Sequence, residues 1–116
     1  MHRDMQTDKW IAVCDLAEIV PNTGVCALLN EVQVAVFHLD DNGTPRVFAI
    51  ENYDPNSQAA VLSRGLVGSL GERIVVASPI YKQHFDLQTG ECLEAPENSV
   101  GTYPARIAEG KVWVGV

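Results

Sequence analysis

An all-β domain of antiparallel sandwich or barrel type is what the sequence predicts, on three observations. Short apolar runs, many alternating with polar residues, recur about every ten residues. Gly, Asn, Asp and Pro stand between them. Nothing in the chain sustains the 3.6-residue period of an amphipathic helix.

About nine or ten strands fit this pattern. In order they cover residues 9–14, 24–30, 33–39, 46–51, 73–78, 83–87, 91–94, 103–108 and 111–115. One helical turn is predicted from Asp15 to Ile19, because Val20-Pro21 stops it at once. Asn42-Gly43 between two runs is a hairpin signal, and Gly71-Glu72, Thr89-Gly90 and Glu109-Gly110 supply corners where positive φ is cheap. The segment 52–70 carries Asp54-Pro55, Asn56-Ser57, Ser63-Arg64-Gly65 and Gly68, and is expected to be a long loop with one short strand around Leu66-Val67. Long structured loops in compact domains are usually functional.

The length, 116 residues, suits one domain. A chain of this size removes roughly two-thirds of its unfolded surface from water, enough to fold on one core without metal or disulfide. We expect a loose segment at 1–8, which has little to bury, and a single domain over 9–116. Eight Lys plus Arg against 15 Asp plus Glu leave a net charge of −7, with no basic run to neutralise phosphates, so nucleic acid is not an expected partner. No apolar stretch reaches the roughly 18 residues of a membrane helix, and the first residues lack the apolar segment of a signal peptide. The expectation is a cytoplasmic protein that does not engage a membrane.

Cys14, Cys26 and Cys92 are odd in number, widely spaced and free of any Cys-x-x-Cys pair, so reduced thiols are expected. Cys26, inside Val25-Cys26-Ala27-Leu28-Leu29, and Cys14 read as small core residues, and Cys92, after a turn, as more exposed. His38 and His84 match no metal-ligand spacing and read as surface or hydrogen-bonded residues. Asp40 and Asp41 belong to the Asn42-Gly43 turn, and Trp10 and Trp113 to terminal strands as packing anchors. Arg64, with five donors, is expected to fix the long loop by bonding backbone carbonyls.

Several consecutive words in the chain resemble a known family. Val47-Phe48-Ala49-Ile50, then Leu62-Ser63-Arg64-Gly65, then Ile74-Val75-Val76-Ala77-Ser78-Pro79 and Phe85-Asp86-Leu87-Gln88-Thr89-Gly90 follow the order and spacing of a Rieske iron–sulfur domain over residues 10–114. The variant Asn52-Tyr53-Asp54-Pro55, Val61-Leu62-Ser63-Arg64-Gly65, Ala77-Ser78-Pro79-Ile80-Tyr81-Lys82-Gln83-His84-Phe85 and Gly90-Glu91-Cys92-Leu93-Glu94 resembles the small subunits of cytoplasmic NAD(P)H-dependent nitrite reductases. That resemblance implies a Rieske-like fold. It also implies a large-subunit partner that holds FAD, a 4Fe-4S cluster and sirohaem and reduces nitrite to ammonium.

The resemblance carries a departure. A Rieske centre takes two Cys thiolates and two His imidazoles. At those four positions this chain has Asn52, Asp54, Ser78 and Tyr81. The chain is therefore expected to bind no cofactor and no metal, and to have no catalytic residue of its own. Two further functions stay open beside the accessory-subunit reading: a Rieske-type electron carrier, and an unrelated β-sandwich module that binds a small ligand or peptide.

Asn52, Tyr53, Asp54 and Pro55, with Ser78, Pro79, Ile80, Tyr81 and Lys82, are the expected partner-binding residues. Asn52 to Pro55 also reads as an Asx-type turn leaving a strand. A bound structural metal ties loops together with roughly 10 kcal/mol or more, whereas a single hydrogen bond gives about 0.5–1.5 kcal/mol. On that comparison the two loops are expected to be set by Pro55, Pro79 and their own turn bonds, and to order fully only against another protein.

Overall fold

The computed structural model describes residues 9–116. The expected loose segment, 1–8, lies outside the described residues. Among the described residues twelve strands follow one another: β1 (Trp10–Asp15), β2 (Thr23–Leu29), β3 (Val32–Asp41), β4 (Thr44–Glu51), β5 (Tyr53–Asp54), β6 (Ala59–Ala60), β7 (Leu66–Leu70), β8 (Arg73–Ala77), β9 (His84–Asp86), β10 (Thr102–Tyr103), β11 (Ala105–Ala108) and β12 (Lys111–Gly115). Helical structure among the described residues is confined to three 3₁₀ turns, Leu16–Glu18, Leu62–Arg64 and Pro96–Asn98. The first falls inside the predicted turn.

Neighbouring strands pair antiparallel in four open sheets, ordered β1-β12-β11, β10-β4-β3-β2, β5-β6 and β7-β8-β9. No sheet closes into a barrel, so the sandwich half of the expected fold class is the one realised. Strand β3 explains the layering. Val34, Ala35, Val36 and Phe37 are all fully buried although successive side chains point to opposite faces. Val34 and Val36 pack with Val112, Val114 and Ile19, while Ala35 and Phe37 pack with Leu62, Val76, Phe85 and Leu87. The β10-β4-β3-β2 sheet is thus covered on both faces, giving a three-layer domain.

Turn chemistry sets the hairpins. Asn42 at φ 54° and Gly43 at φ 87° join β3 to β4, and Gly71 at φ 63° joins β7 to β8. Gly65 is required for another reason. A Cβ on it would stand 2.3 Å from Ala77 O, where the chain leaving the second 3₁₀ turn passes β8.

Four expectations need correction. The predicted strand at 91–94 is no strand; only one isolated bridge, Phe85 with Cys92, forms there, held by Asp86 N–H to Glu91 O and Leu93 N–H to His84 O, while the outward Cys92 amide goes to Ser99 Oγ. The short strand expected at Leu66-Val67 extends to Leu70 and pairs fully with β8. Cys26 is exposed and Cys92 fully buried, the reverse of what was expected. Position in the sheet decides the first: Val25 and Ala27 face one core, and Cys26, turned to the other face on the edge strand β2, is left exposed at its margin. Arg64 fixes no carbonyl; its side chain is exposed and without a partner among the described residues.

Candidate functional site

The two loops singled out by the family pattern lie side by side, one running through β5, the other leaving β8 at Ser78. Each is closed in the same way. Gln58 N–H donates to Asp54 O at 2.7 Å and Lys82 N–H donates to Ser78 O at 3.0 Å, with Gln58 and Lys82 both left-handed, at φ 58° and 65°. The middle residues of the second turn, Pro79, Ile80 and Tyr81, are exposed, and those of the first, Pro55, Asn56 and Ser57, are half-buried.

Burial divides the expected residues into two groups. Asn52, Asp54 and Ser78 are buried, at 2%, 0% and 0% exposure. Tyr53, Ile80 and Tyr81 are large exposed side chains, at 49%, 46% and 61%, and Pro79 and Lys82 are exposed beside them. Pro55 is half-buried. The buried group holds the loops from below, and the exposed group faces solvent.

Asn52 ties three segments together. Its Nδ2 donates to Gln33 Oε1 at 3.1 Å and approaches Cys26 Sγ at 3.5 Å, and its Oδ1 accepts from Ser63 N–H at 2.7 Å. Asp54 does the same between the loops. Its Oδ1 accepts from Asn56 N–H at 2.9 Å, and its Oδ2 accepts from Ser57 Oγ at 3.0 Å and from Ser78 Oγ at 2.5 Å. A buried carboxylate is costly unless donors surround it, and here three do. The short Ser78–Asp54 bond spans loops that are 24 residues apart in sequence. Side chains of these types can bond across a short gap, and this is the cross-loop bond that forms.

These residues do not fit an iron–sulfur centre. The four positions present an amide, a carboxylate, a hydroxyl and a phenol, none of them the thiolate or imidazole that such iron takes. Two of the four, Asp54 and Ser78, are hydrogen-bonded to each other, and Asn52 is spent on Gln33 and Ser63. Tyr81 points outward into solvent. No group of three or more His, Cys, Asp or Glu able to hold a metal occurs among the described residues.

The two histidines of interest have partners of their own. His84 Nδ1 lies 2.6 Å from Glu94 Oε2, and His84 N–H donates to Glu94 Oε1 at 2.8 Å. Desolvation pushes the Glu94 carboxyl up, but the His84 bonds outweigh it and hold the group below its ordinary range. His38 Nδ1 meets Ile19 O at 2.7 Å in the core. The Cys14 thiol is pushed up by burial and then by Glu18 and Asp15, which disfavours the reactive thiolate.

Comparison with known proteins agrees with this geometry. Residues 9–115 match the model of the Rieske-like [2Fe-2S] domain. A three-layer β domain with paired loops at one end is thus a Rieske-like module, here with its ligand positions changed. The nitrite reductase (NADH) small subunit of Escherichia coli (strain K12) is 45% identical over 107 residues, 90% of this chain and 94% of that one. The solution structure of the E. coli protein NirD superposes with a TM-score of 0.83 at 43% identity, covering 91% of this chain and 94% of that one. A 106-residue stretch of the nitrite reductase [NAD(P)H] large subunit of Klebsiella oxytoca is 42% identical; it covers 91% of this chain, which spans only 11% of that subunit. The chain belongs to the nitrite reductase small-subunit family of Rieske-like domains.

Proposed function

We propose that this chain is a non-redox accessory subunit of an NAD(P)H-dependent nitrite reductase, and that it docks through its two loop tips on a large subunit. That large subunit carries the FAD, 4Fe-4S and sirohaem groups and reduces nitrite to ammonium. The chain itself moves no electron and has no activity alone. The observation that carries this reading is the Ser78–Asp54 bond at 2.5 Å, which joins the loops where a cluster would otherwise join them. Its effect is to present Tyr53, Pro79, Ile80, Tyr81 and Lys82 as one amphipathic surface. Aromatic and aliphatic residues at a tip are the usual anchors of a protein interface. A homologous stretch inside the Klebsiella large subunit supports the partner, because a module found covalently joined to a large subunit in one protein is suited to pack on one in another. No helix among the described residues is long and apolar enough to cross a membrane, in keeping with a cytoplasmic location.

The test is co-expression with the large subunit, followed by co-purification and nitrite-dependent NADH oxidation. Tyr81→Ala and Ile80→Ala should weaken association by about tenfold or more each, the scale of an interface anchor. Asp41→Ala, in the β3–β4 turn, should leave association unchanged. Equal loss in all three variants would reject the tip as the docking surface.

A further inference from the structure

Strand β7 has an unguarded free edge. It pairs only with β8, in the register Leu66–Ala77, Gly68–Val75 and Leu70–Arg73. The two-residue turn at Gly71-Glu72 makes Leu70–Arg73 a hydrogen-bonded pair, so the alternation of an antiparallel ladder turns the N–H and C=O of Val67 and Ser69 away from β8. The opposite side of β8 agrees with this phase, since Ile74 O faces β9 and accepts from Leu87 N–H at 2.9 Å. Neither Val67 nor Ser69 has a further backbone or side-chain bond among the described residues. On the outer face Leu66 is 80% and Leu70 43% exposed. Natural edges are normally blunted by Lys, Pro, a bulge or a covering loop, and β7 has none of these.

The sequence of this edge is a near-palindrome centred on Gly68: Arg64-Gly65-Leu66-Val67-Gly68-Ser69-Leu70-Gly71-Glu72. We infer that β7 pairs antiparallel with β7 of a second copy of this chain, about a two-fold axis at Gly68. In that register Val67 and Ser69 exchange their outward bonds with Ser69 and Val67 of the second copy. Leu66 packs on Leu70 of the second copy, and Arg64 faces Glu72 of the second copy. Arg64 and Glu72 are both exposed and unpartnered among the described residues, so the two charges complement each other only across the axis. Gly68 suits the centre, because nothing lies within 4 Å of a Cβ built there and the two strands can approach closely. An isologous contact of this kind is self-complementary and closed. It joins β9-β8-β7 of each copy into one sheet and sets the two loop tips at opposite ends of the contact, so that one pair of small subunits can bridge two large ones.

A contact confined to one strand and two leucine pairs belongs to the weak, concentration-dependent class. Two measurements test it on the full chain, and neither depends on the docking role of the tips. The first is sedimentation across a wide concentration range. The native chain should pass from monomer to dimer; Leu66→Lys with Leu70→Lys should stay monomeric with an unchanged circular dichroism spectrum. Arg64→Glu should weaken the dimer, and Arg64→Glu with Glu72→Arg should restore it.

The second places Gly68→Cys in a Cys26→Ser background. At a non-hydrogen-bonded antiparallel pair the Cα atoms stand about 4.5 Å apart, within disulfide range. Under mild oxidation this variant should form a covalent dimer about tenfold or more faster than Leu28→Cys, an exposed site on the β2–β3 hairpin. A chain that stays monomeric throughout, with Gly68→Cys cross-linking at the control rate, overturns the inference. So does protection of the Val67 and Ser69 amides that appears only when the large subunit is added.

Discussion

At the scale of single residues the loop base is a set of exchanged roles. Ser78 and Asp54 hold by one short hydrogen bond what a ligated metal holds with several, and hydrogen bonds to a charged group are worth about 1.5–3 kcal/mol. Ser78→Ala should therefore lower unfolding stability by about 1–3 kcal/mol in denaturant titration, because Asp54 Oδ2 keeps only Ser57. The pair His84–Glu94 gives a pH prediction with a definite sign. The folded-state pKa of Glu94 lies below its unfolded value, so its contribution is present above the unfolded pKa and is lost as pH falls through the folded one. The stability gap between the native chain and Glu94→Gln should be widest near neutrality and close in acid; a gap that widens in acid would contradict the assignment.

At the scale of elements, close approach rather than composition decides which glycines matter. Gly65 and Gly68 flank the same stretch of β7, yet a Cβ at Gly65 meets Ala77 O at 2.3 Å and one at Gly68 meets nothing. Gly65→Ala should cost about 1–3 kcal/mol by overpacking, and Gly68→Ala should be near neutral; thermal melts of the two variants compare them directly. The loops behave as elements too. Gln58, Ser78 and Lys82 amides all donate to backbone carbonyls inside the loops. Hydrogen exchange on the isolated chain should find them protected, in contrast to the expectation that loops set by Pro55, Pro79 and their own turn bonds order fully only against a partner.

At the scale of the whole molecule the ligand chemistry has a simple readout. Protein purified alone should contain no stoichiometric iron or inorganic sulfide and show no visible absorption band, since Asn52, Asp54, Ser78 and Tyr81 offer neither thiolate nor imidazole at the four ligand positions. Recovery of both elements in stoichiometric amount would overturn the accessory reading.

Much of this fold was legible from residue type. The turns at Asn42-Gly43, Gly71-Glu72 and Glu109-Gly110 marked the hairpins, and the change of four ligand positions is a statement about side-chain chemistry that needs no coordinates. What could not be read depends on contacts between distant segments. The place of β2 at the edge of its sheet left Cys26 exposed, and the chain after Gly90 kept only one bridge to β9. Only the packing of the β7-β8-β9 sheet onto the β10-β4-β3-β2 sheet brought Ser78 to Asp54 and left the β7 edge bare. Periodicity and turn residues act over a few positions and so are written locally, whereas which hydroxyl meets which carboxylate is settled by how whole sheets stack.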